Sequence, residues 1–497
     1  MHRRSLPLLT LRLAALSLTA LLAAAPLAAQ PGSASDAQQR LDAYVEEALG
    51  ANLALQQRAF DLAASRHALA AARRQFFPAL SVEARFSRAG GGRTVNLPLG
   101  DLLNPVYGTL NDLLAAEGQD PAFPTLANEE IEFLRDQEQD TRLRVVQPLY
   151  QPRLSAAVRL NRHLVASREA EVEAFRRALA RDVRVAYFEY LQAGRAVAIF
   201  EAASGLVGEN LRTAERLRRS DRVLADAVLR ARAETFAVAQ QVAEAERDRD
   251  LARSYLNALL NRPLDTPLEA DEDATWDLPS AEPGTWLQRT GSSQTAPVFG
   301  DPAFGDVLAA MQDAAVAQRF ELAQLDAAID AREAEVRLNR AAYLPGVSAA
   351  LDGGIQGRGY GFEGEQPFYL ASVVLSWSLF DGGADRARVR EAQAVADRTR
   401  AQRAEAAQQI RLQVQQAFDA VRVAQTSLAT ATERLTAAAE GFRLTQRLAA
   451  EGRANQVVFV DARTTLTSAQ LNLNVTRYAL LARLADLEFA VGGVLPD

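Results

Sequence analysis

Apolar and polar positions change period at fixed points along this chain, and the changes come in the same order twice. From Leu41 to Phe77, Ala and Leu recur with the helical period of about 3.6, interrupted near Gly50 and Asn52 and stopped by Pro78. Residues 79–87 then alternate, with Leu80, Val82, Ala84 and Phe86 against Ser81, Glu83, Arg85 and Ser87. That predicts a strand with one apolar and one polar face. Residues 88–140 hold no sustained period and are punctuated by Gly and Pro, so a long loop containing a short helix is expected. Residues 142–150 form the return strand, ending in VVQPLYQP, Val145 to Pro152. A helix then runs from Arg153 to Leu217, which at 1.5 Å per residue spans roughly 100 Å. After a break over Arg218, Arg219, Ser220, Asp221 and Arg222, a second helix over about 224–260 folds back as a coiled-coil hairpin, ended by Asn261 and Pro263.

Residues 261–305 are richer in Pro, Gly, Ser and Asp, contain Trp276 and Trp286, and read as a linker or irregular segment. The order then recurs over 306–492: a helix over 306–343 stopped by Pro345, strands over about 346–356 and 368–380, a helix from about Ala384, a break at EGRAN (451–455) and a last helix to about Val491. Pro78 matches Pro345, and NLAL (52–55) matches RFEL (319–322), at an offset of 267. Pro148 matches Ser378 at 230, and VLRAR (228–232) matches FVDAR (459–463) at 231. The 37-residue difference falls in the loop between Pro78 and Pro148, where length changes are tolerated. The chain is therefore divided into a leader (1–29), a first repeat (30–260), the linker (261–305), a second repeat (306–492) and a tail (493–497).

The leader carries Arg3, Arg4 and Arg12, an apolar run over 13–29 and small residues at Ala28 and Ala29, the pattern of a cleaved export signal. Cleavage after Ala29 removes three arginines and no acid, taking the formal charge from −7 to −10. There is no cysteine, hence neither a disulfide nor a lipid attached through an N-terminal Cys. Beyond the leader no apolar run reaches the length of a membrane helix, so a bilayer core would be crossed only as a closed β-barrel. Four strands per chain leave two edges open. Two chains would close a barrel filled by its own side chains, whereas three give a 12-stranded barrel with room inside, continued by a tube of long helices.

The segments QPLY (147–150) and SLFDGG (378–383) before long helices, RRQFFPALS (73–81), NRAAYLPGVS (339–348) and the stretch from EGRAN to FAVG (451–492) resemble, in order and spacing, the TolC-like outer-membrane efflux protein family. The resemblance covers about residues 38–492 and implies a mixed α/β membrane protein. Its homotrimer would combine a 12-stranded β-barrel in the Gram-negative outer membrane with a long periplasmic α-helical barrel. It implies a passive exit duct joined through a periplasmic adaptor to an inner-membrane pump or an ATP-driven exporter. In that family the aperture lies at the helix tips, here Gly452 to Asp461, with Asn455 in the second tip; Asp461 matches one acidic position of the pore ring and Val458 stands at the other. An acidic ring attracts cations, so the loss of one carboxylate per subunit weakens the expected selectivity. Asp221 stands in the first tip where Gly452 stands in the second, and both tips are expected to meet the adaptor.

Gly382 and Gly383 let the chain turn from strand to helix, as Pro152 does in the first repeat. Tyr150, Trp377 and Phe380 are placed at the membrane interface or in the domain junction. Enzyme readings fail. His67 and His163 have no partner at metal-ligand spacing, and GGG (90–92) and DGG (352–354) lack phosphate-loop spacing and lysine. No cofactor is implied, and a mildly acidic chain without a basic stripe gives no nucleic-acid footprint. The rival reading is a non-conducting structural or adhesion scaffold of the cell envelope. The cargo, small molecules or protein, is not legible.

Overall fold

The computed structural model describes residues 34–132, 136–269, 276, 303–357, 367–450, 453 and 456–493. The first half runs α1 (Ala34–Ala51), α2 (Leu53–Arg74), β1 (Ala79–Arg88), β2 (Thr94–Leu97), α3 (Leu99–Ala116), β3 (Glu129–Glu132), β4 (Gln137–Tyr150), α4 (Pro152–Arg219) and α5 (Ala225–Leu259). The second runs α6 (Ala303–Gln318), α7 (Phe320–Arg340), β5 (Gly346–Gly357), β6 (Pro367–Ser376), α8 (Ala384–Ala450) and α9 (Gln456–Val491). Helix, helix, strand, strand, long helix, helix thus occurs twice.

Three boundaries differ from those read in the sequence. Residues 88–140 hold the expected helix, the 18-residue α3, but also β2 and β3, which pair as a ribbon bracketing it, and β4 begins at Gln137 rather than 142. The hidden order comes from strap contacts between α3 and residues 119–128, which leave no period in a linear sequence. The helix over 306–343 is broken at Arg319, whose φ of −72° and ψ of 123° are extended, so α6 and α7 are separate. Strand β6 ends at Ser376, which leaves Trp377 and Phe380 in the turn beyond it. The leader, most of the 261–305 linker, Trp286, Gly452 and Asn455 lie outside the described residues.

The main sheet has order β1-β4-β5-β6 and is antiparallel throughout. Its central pair, β4 with β5, joins the two halves; β1 and β6 are left as edges. Pro148 stands past the end of the β1 ladder, at an irregularity in the β4–β5 pairing, where a missing N–H is tolerated. Pro78 and Pro345 each stand one residue before a strand, between it and the preceding helical segment.

Below the sheet the helices form four columns. α2 and α5 both pack on α4, and α7 and α9 both lie between α4 and α8. α2 runs antiparallel to α4, with Arg66 on Glu169 (2.8 Å) and Arg58 over the Phe175 ring (3.8 Å); α5 packs lower down the same helix, where Arg232 faces Glu215 at 3.6 Å. Burial repeats at the offset of 231: Val183 and Val414, Tyr187 and Phe418, Val238 and Ala469, and Leu256 and Leu487 are all core residues. Two apolar clusters sit at mid-height. One, with Leu41, Val45, Tyr187, Leu191, Leu256 and Trp276, lies under α1, and the other, with Met311, Leu322, Val414, Phe418 and Leu487, lies under α6.

Candidate conduit wall, splices and tips

Alternation sends β1, β4, β5 and β6 side chains to two unlike faces. One carries Leu80, Val82 and Phe86, then Leu143 and Val145, then Val347, Leu351 and Ile355, then Tyr369, Val373 and Leu375, and much of it is exposed to solvent in the single chain. Val82 is 69% and Tyr369 84% exposed, which a water-facing sheet would not sustain across four strands. On β1, β4 and β5 the other face carries Glu83, Arg85, Asp140, Arg142, Arg144, Asp352 and Gln356, whereas β6 adds Leu370 and Val374 to it. Arg142 donates to Glu83 through Nε (3.0 Å) and Nη2 (2.7 Å), and Arg144 faces the buried Asp352 at 3.6 Å. Gly354 lies opposite Arg142, where a Cβ would collide with the β4 backbone. One apolar face, one largely charged face and 10 to 14 residues per strand is the pattern of a transmembrane barrel wall.

At the strand–helix junctions, Gly382 and Gly383 have φ of +72° and +89°, where a side chain would be strained, and Pro152 occupies the first turn of α4. Asp381 accepts the N–H groups of Gly383 (3.0 Å) and Asp385 (2.6 Å), which fixes the entry into α8. Trp377 Nε1 donates to the Tyr343 carbonyl (3.0 Å), so its polar edge is held by the junction while the ring stays half exposed; Tyr150 and Phe380 are also exposed.

Where α5 meets α2 and α9 meets α7, the ends are spliced. Asn52 Oδ1 accepts from Ala54 N (3.0 Å) and Leu55 N (3.2 Å), capping α2, while its Nδ2 donates to the Leu259 carbonyl (3.0 Å) at the end of α5. At the matching position Arg319 Nη1 donates to the Ala490 carbonyl (3.2 Å) at the end of α9, and its other nitrogens clasp Glu321 at 2.9 and 2.7 Å. Both side chains are buried, Asn52 at 9% and Arg319 at 6% exposure. Arg177 donates to the carbonyls of Gly492 and Gly493, and Arg184 bonds Glu488 at 2.7 Å, so cations gather at the negative end of α9. Burial pushes the Glu321 carboxyl up, but the Arg319 hydrogen bonds and charge outweigh it and hold the group below its ordinary value. The sequence pairs Asn52 with Arg319 by register, yet it gives no sign that either reaches another helix.

The first tip is closed by a Schellman turn: Asp221 takes φ +53°, its N–H reaches the Arg218 carbonyl (3.0 Å), and Arg222 N–H reaches the Leu217 carbonyl (2.9 Å). Ser220 Oγ bonds the Leu217 carbonyl (3.1 Å), and Arg218 pairs with Asp221 at 3.0 Å. Within the single chain Arg218 thus braces its own turn. In the second tip Arg453 N–H reaches the Leu448 carbonyl (2.8 Å), the same bond shifted by 231. Val458 and Asp461 are exposed in the first turns of α9. One turn further up, the buried Arg463 pairs with Glu234 of α5, a tie between the two hairpins that sequence reading missed. Among the described residues there is no cluster of metal-ligating side chains.

Comparison with known proteins places these features. Residues 312–493 match the family described as "Outer membrane efflux protein". The curated relative "Protein CyaE" of Bordetella pertussis is 34% identical over 169 residues, which is 34% of this chain and about a third of that protein's own length. The outer-membrane channel OprN aligns with TM-score 0.68 and 19% identity over 92% of this chain and 91% of that one. VceC of Vibrio cholerae aligns at 0.67 and 15% over 94% and 100%, and the open-state MtrE channel of Neisseria gonorrhoeae at 0.67 and 18% over 92% and 89%. The described chain has the mixed α/β fold of these channels.

Proposed function

We propose that this chain, whose residues 312–493 match the family described as "Outer membrane efflux protein", is the outer-membrane exit duct of a tripartite efflux or type I secretion assembly. The observation that carries this reading is the sheet with an exposed apolar face and a charged face, continued by four helical columns. A scaffold in water has no use for that apolar face. Three chains with four strands each close at 12 strands, joining the free β1 edge of one chain to the free β6 edge of the next. The charged face then lines the lumen, the apolar face meets outer-membrane lipid, and the helices continue the tube into the periplasm.

The internal repeat supports a specific seam for the homotrimer. Within the chain α4 packs on α9, with Arg181 on Asp486 at 3.4 Å and Asn474 Nδ2 donating to the Gln192 carbonyl at 2.8 Å. Shifting these by 231 pairs α8 of one protomer with α5 of the next: Leu412 with Tyr255, and Val423 with Ala243. Leu412 is 56% and Tyr255 53% exposed in the single chain, which such a seam would bury. No chemistry is performed; energy comes from an inner-membrane pump or ATP-driven exporter, reached through a periplasmic adaptor at the tips near Asp221, Val458 and Asp461.

The chain lacks cysteine, so Leu412→Cys with Tyr255→Cys introduces one possible disulfide per seam. Oxidation in intact cells is expected to give a covalent trimer, the double variant alone forming the ladder of dimer and trimer, with single-channel conductance retained in planar bilayers. Covalent dimers that never progress to trimer, or assembled protein without conductance, would turn the reading toward the scaffold.

A further inference from the structure

The segment between β1 and β4 is a folded unit whose surface the duct reading does not use. Asn104 and Asn111, two turns apart on α3, hold the strap of residues 119–128 along one side of the helix. Asn104 donates to the Leu126 carbonyl and accepts its N–H, both at 2.8 Å; Asn111 donates to the Phe123 carbonyl (2.8 Å) and accepts the N–H groups of Ala122 and Phe123 (3.1 Å each). Asn128 closes the end on Asp101, and Tyr107 packs on Phe123 at 5.2 Å between ring centroids. A Cβ at Gly100 would sit 2.5 Å from the Leu126 carbonyl oxygen, so the strap lies as close as glycine permits. These contacts lie within the segment itself and hold the strap against α3.

On the opposite side of α3, Leu99, Leu102, Val106 and Leu113 are exposed, Leu102 at 66%, and in the β2–β3 ribbon Leu97 and Ile131 are exposed as well. Residues 94–132 also contain seven acids, Asp101, Asp112, Glu117, Asp120, Glu129, Glu130 and Glu132, and no Lys, Arg or His. Helices that lie in a lipid interface carry Lys and Arg on their polar face, and this one has none. A second copy would bring another seven negative charges to the contact. An occupant with leucine-like and cationic positions on one helix face satisfies both the apolar surface and the charge.

We infer that α3 with its strap and ribbon is a docking platform for a cationic amphipathic peptide segment, presented by the barrel end remote from the long helices. Placement outside the cell rests on the duct reading, but binding does not, so the two fail separately. The test uses the full-length assembly in nanodiscs of zwitterionic lipid and, as probe, a fluorescent leucine–lysine helical peptide of the length of α3, 18 residues. Anisotropy is expected to show saturable binding that weakens as salt rises. It should fall at least about tenfold with Leu102→Gln plus Val106→Gln, and likewise with Glu129→Gln plus Glu130→Gln, the variants keeping wild-type assembly size. Equal binding by a leucine–glutamate peptide, or undiminished binding by the apolar variant, would overturn the platform. So would equal uptake by empty nanodiscs, which assigns the signal to lipid, or spontaneous Leu102→Cys cross-links between neighbouring chains that block the peptide, which assign the face to a second copy.

Discussion

Removing the Asn52 side chain tests whether the α5–α2 splice holds energy or merely marks proximity. Asn52→Ala deletes two things: the acceptor that caps Ala54 and Leu55, and the donor that satisfies the Leu259 carbonyl. Loss of a cap costs about 1 kcal/mol, and a buried carbonyl left unpaired costs about 1–3 kcal/mol. Asn52 is 9% exposed and water has little access, so a combined loss of about 2–3 kcal/mol is expected, with Asn52→Asp as the control. Aspartate keeps the cap acceptor and removes the donor. In native-state hydrogen exchange, Ala54 and Leu55 amides should lose protection in Asn52→Ala and keep it in Asn52→Asp. The amides of the last turn of α5 should exchange on the order of thirtyfold faster in both, since 1.4 kcal/mol is tenfold. If the end of α5 exchanges as in the wild type while only Ala54 and Leu55 change, Asn52 is a local cap and the splice argument is wrong.

Three further outcomes follow from the same geometry. Glu321 is held below its ordinary value of 4.5 in the folded chain, so its contribution is complete above that value and is lost as pH falls through the lowered one; Glu321→Gln should flatten the acid limb of α7 exchange. Val82→Arg, on the apolar face, should destabilise the proposed membrane-inserted trimer by about 2–4 kcal/mol near the midplane, lowering the trimer fraction seen on native gels, whereas Ser87→Arg on the charged face should leave that fraction unchanged. Arg463→Ala should loosen the tips, because it strands Glu234 against buried surface; a cost of about 3 kcal/mol would appear as faster proteolysis near residues 220–235, and an unaltered digestion pattern would remove Arg463 from tip closure.

The architecture was legible because period is local. Leu80, Val82, Ala84 and Phe86 alternate in the sequence as they do in β1, and Pro78 and Pro345 mark both helix-to-strand changes. The long hairpins needed only the absence of breakers. Asp221 was legible as a turn residue because few side chains tolerate its φ of +53°. What was not legible depends on pairs distant in sequence. Nothing adjacent to Arg463 reveals Glu234, 229 residues away, and nothing near Asn104 reveals a strap 22 residues on. The α6–α7 break was missed for a related reason: Arg319 is a good helix former, and only its donors reaching Ala490 make an extended backbone there worthwhile.

Asn52 and Arg319 occupy the same place in the two repeats and share little chemistry, yet each supplies an N–H donor to a helix-end carbonyl, Leu259 in one case and Ala490 in the other. A column built from two helices end to end leaves the last carbonyls of the lower one and the first N–H groups of the upper one facing each other inside the protein. Both sets need partners, and one side chain at the upper cap position can reach down to the carbonyls. Asparagine does this with a neutral amide that also caps its own helix. Arginine reaches further but cannot accept, so Glu321 balances its buried charge, and the N-terminal end of α7 benefits from that carboxylate. The repeats therefore preserve a geometric requirement rather than a residue. At those joints Schellman turns at Asn261 and Gly492, both with positive φ, close the lower helices, and a third at Asp221 closes the first tip. A tube wall made of such columns can be about 100 Å tall without any helix except α4 and α8 spanning it, because each splice transmits the column across its joint.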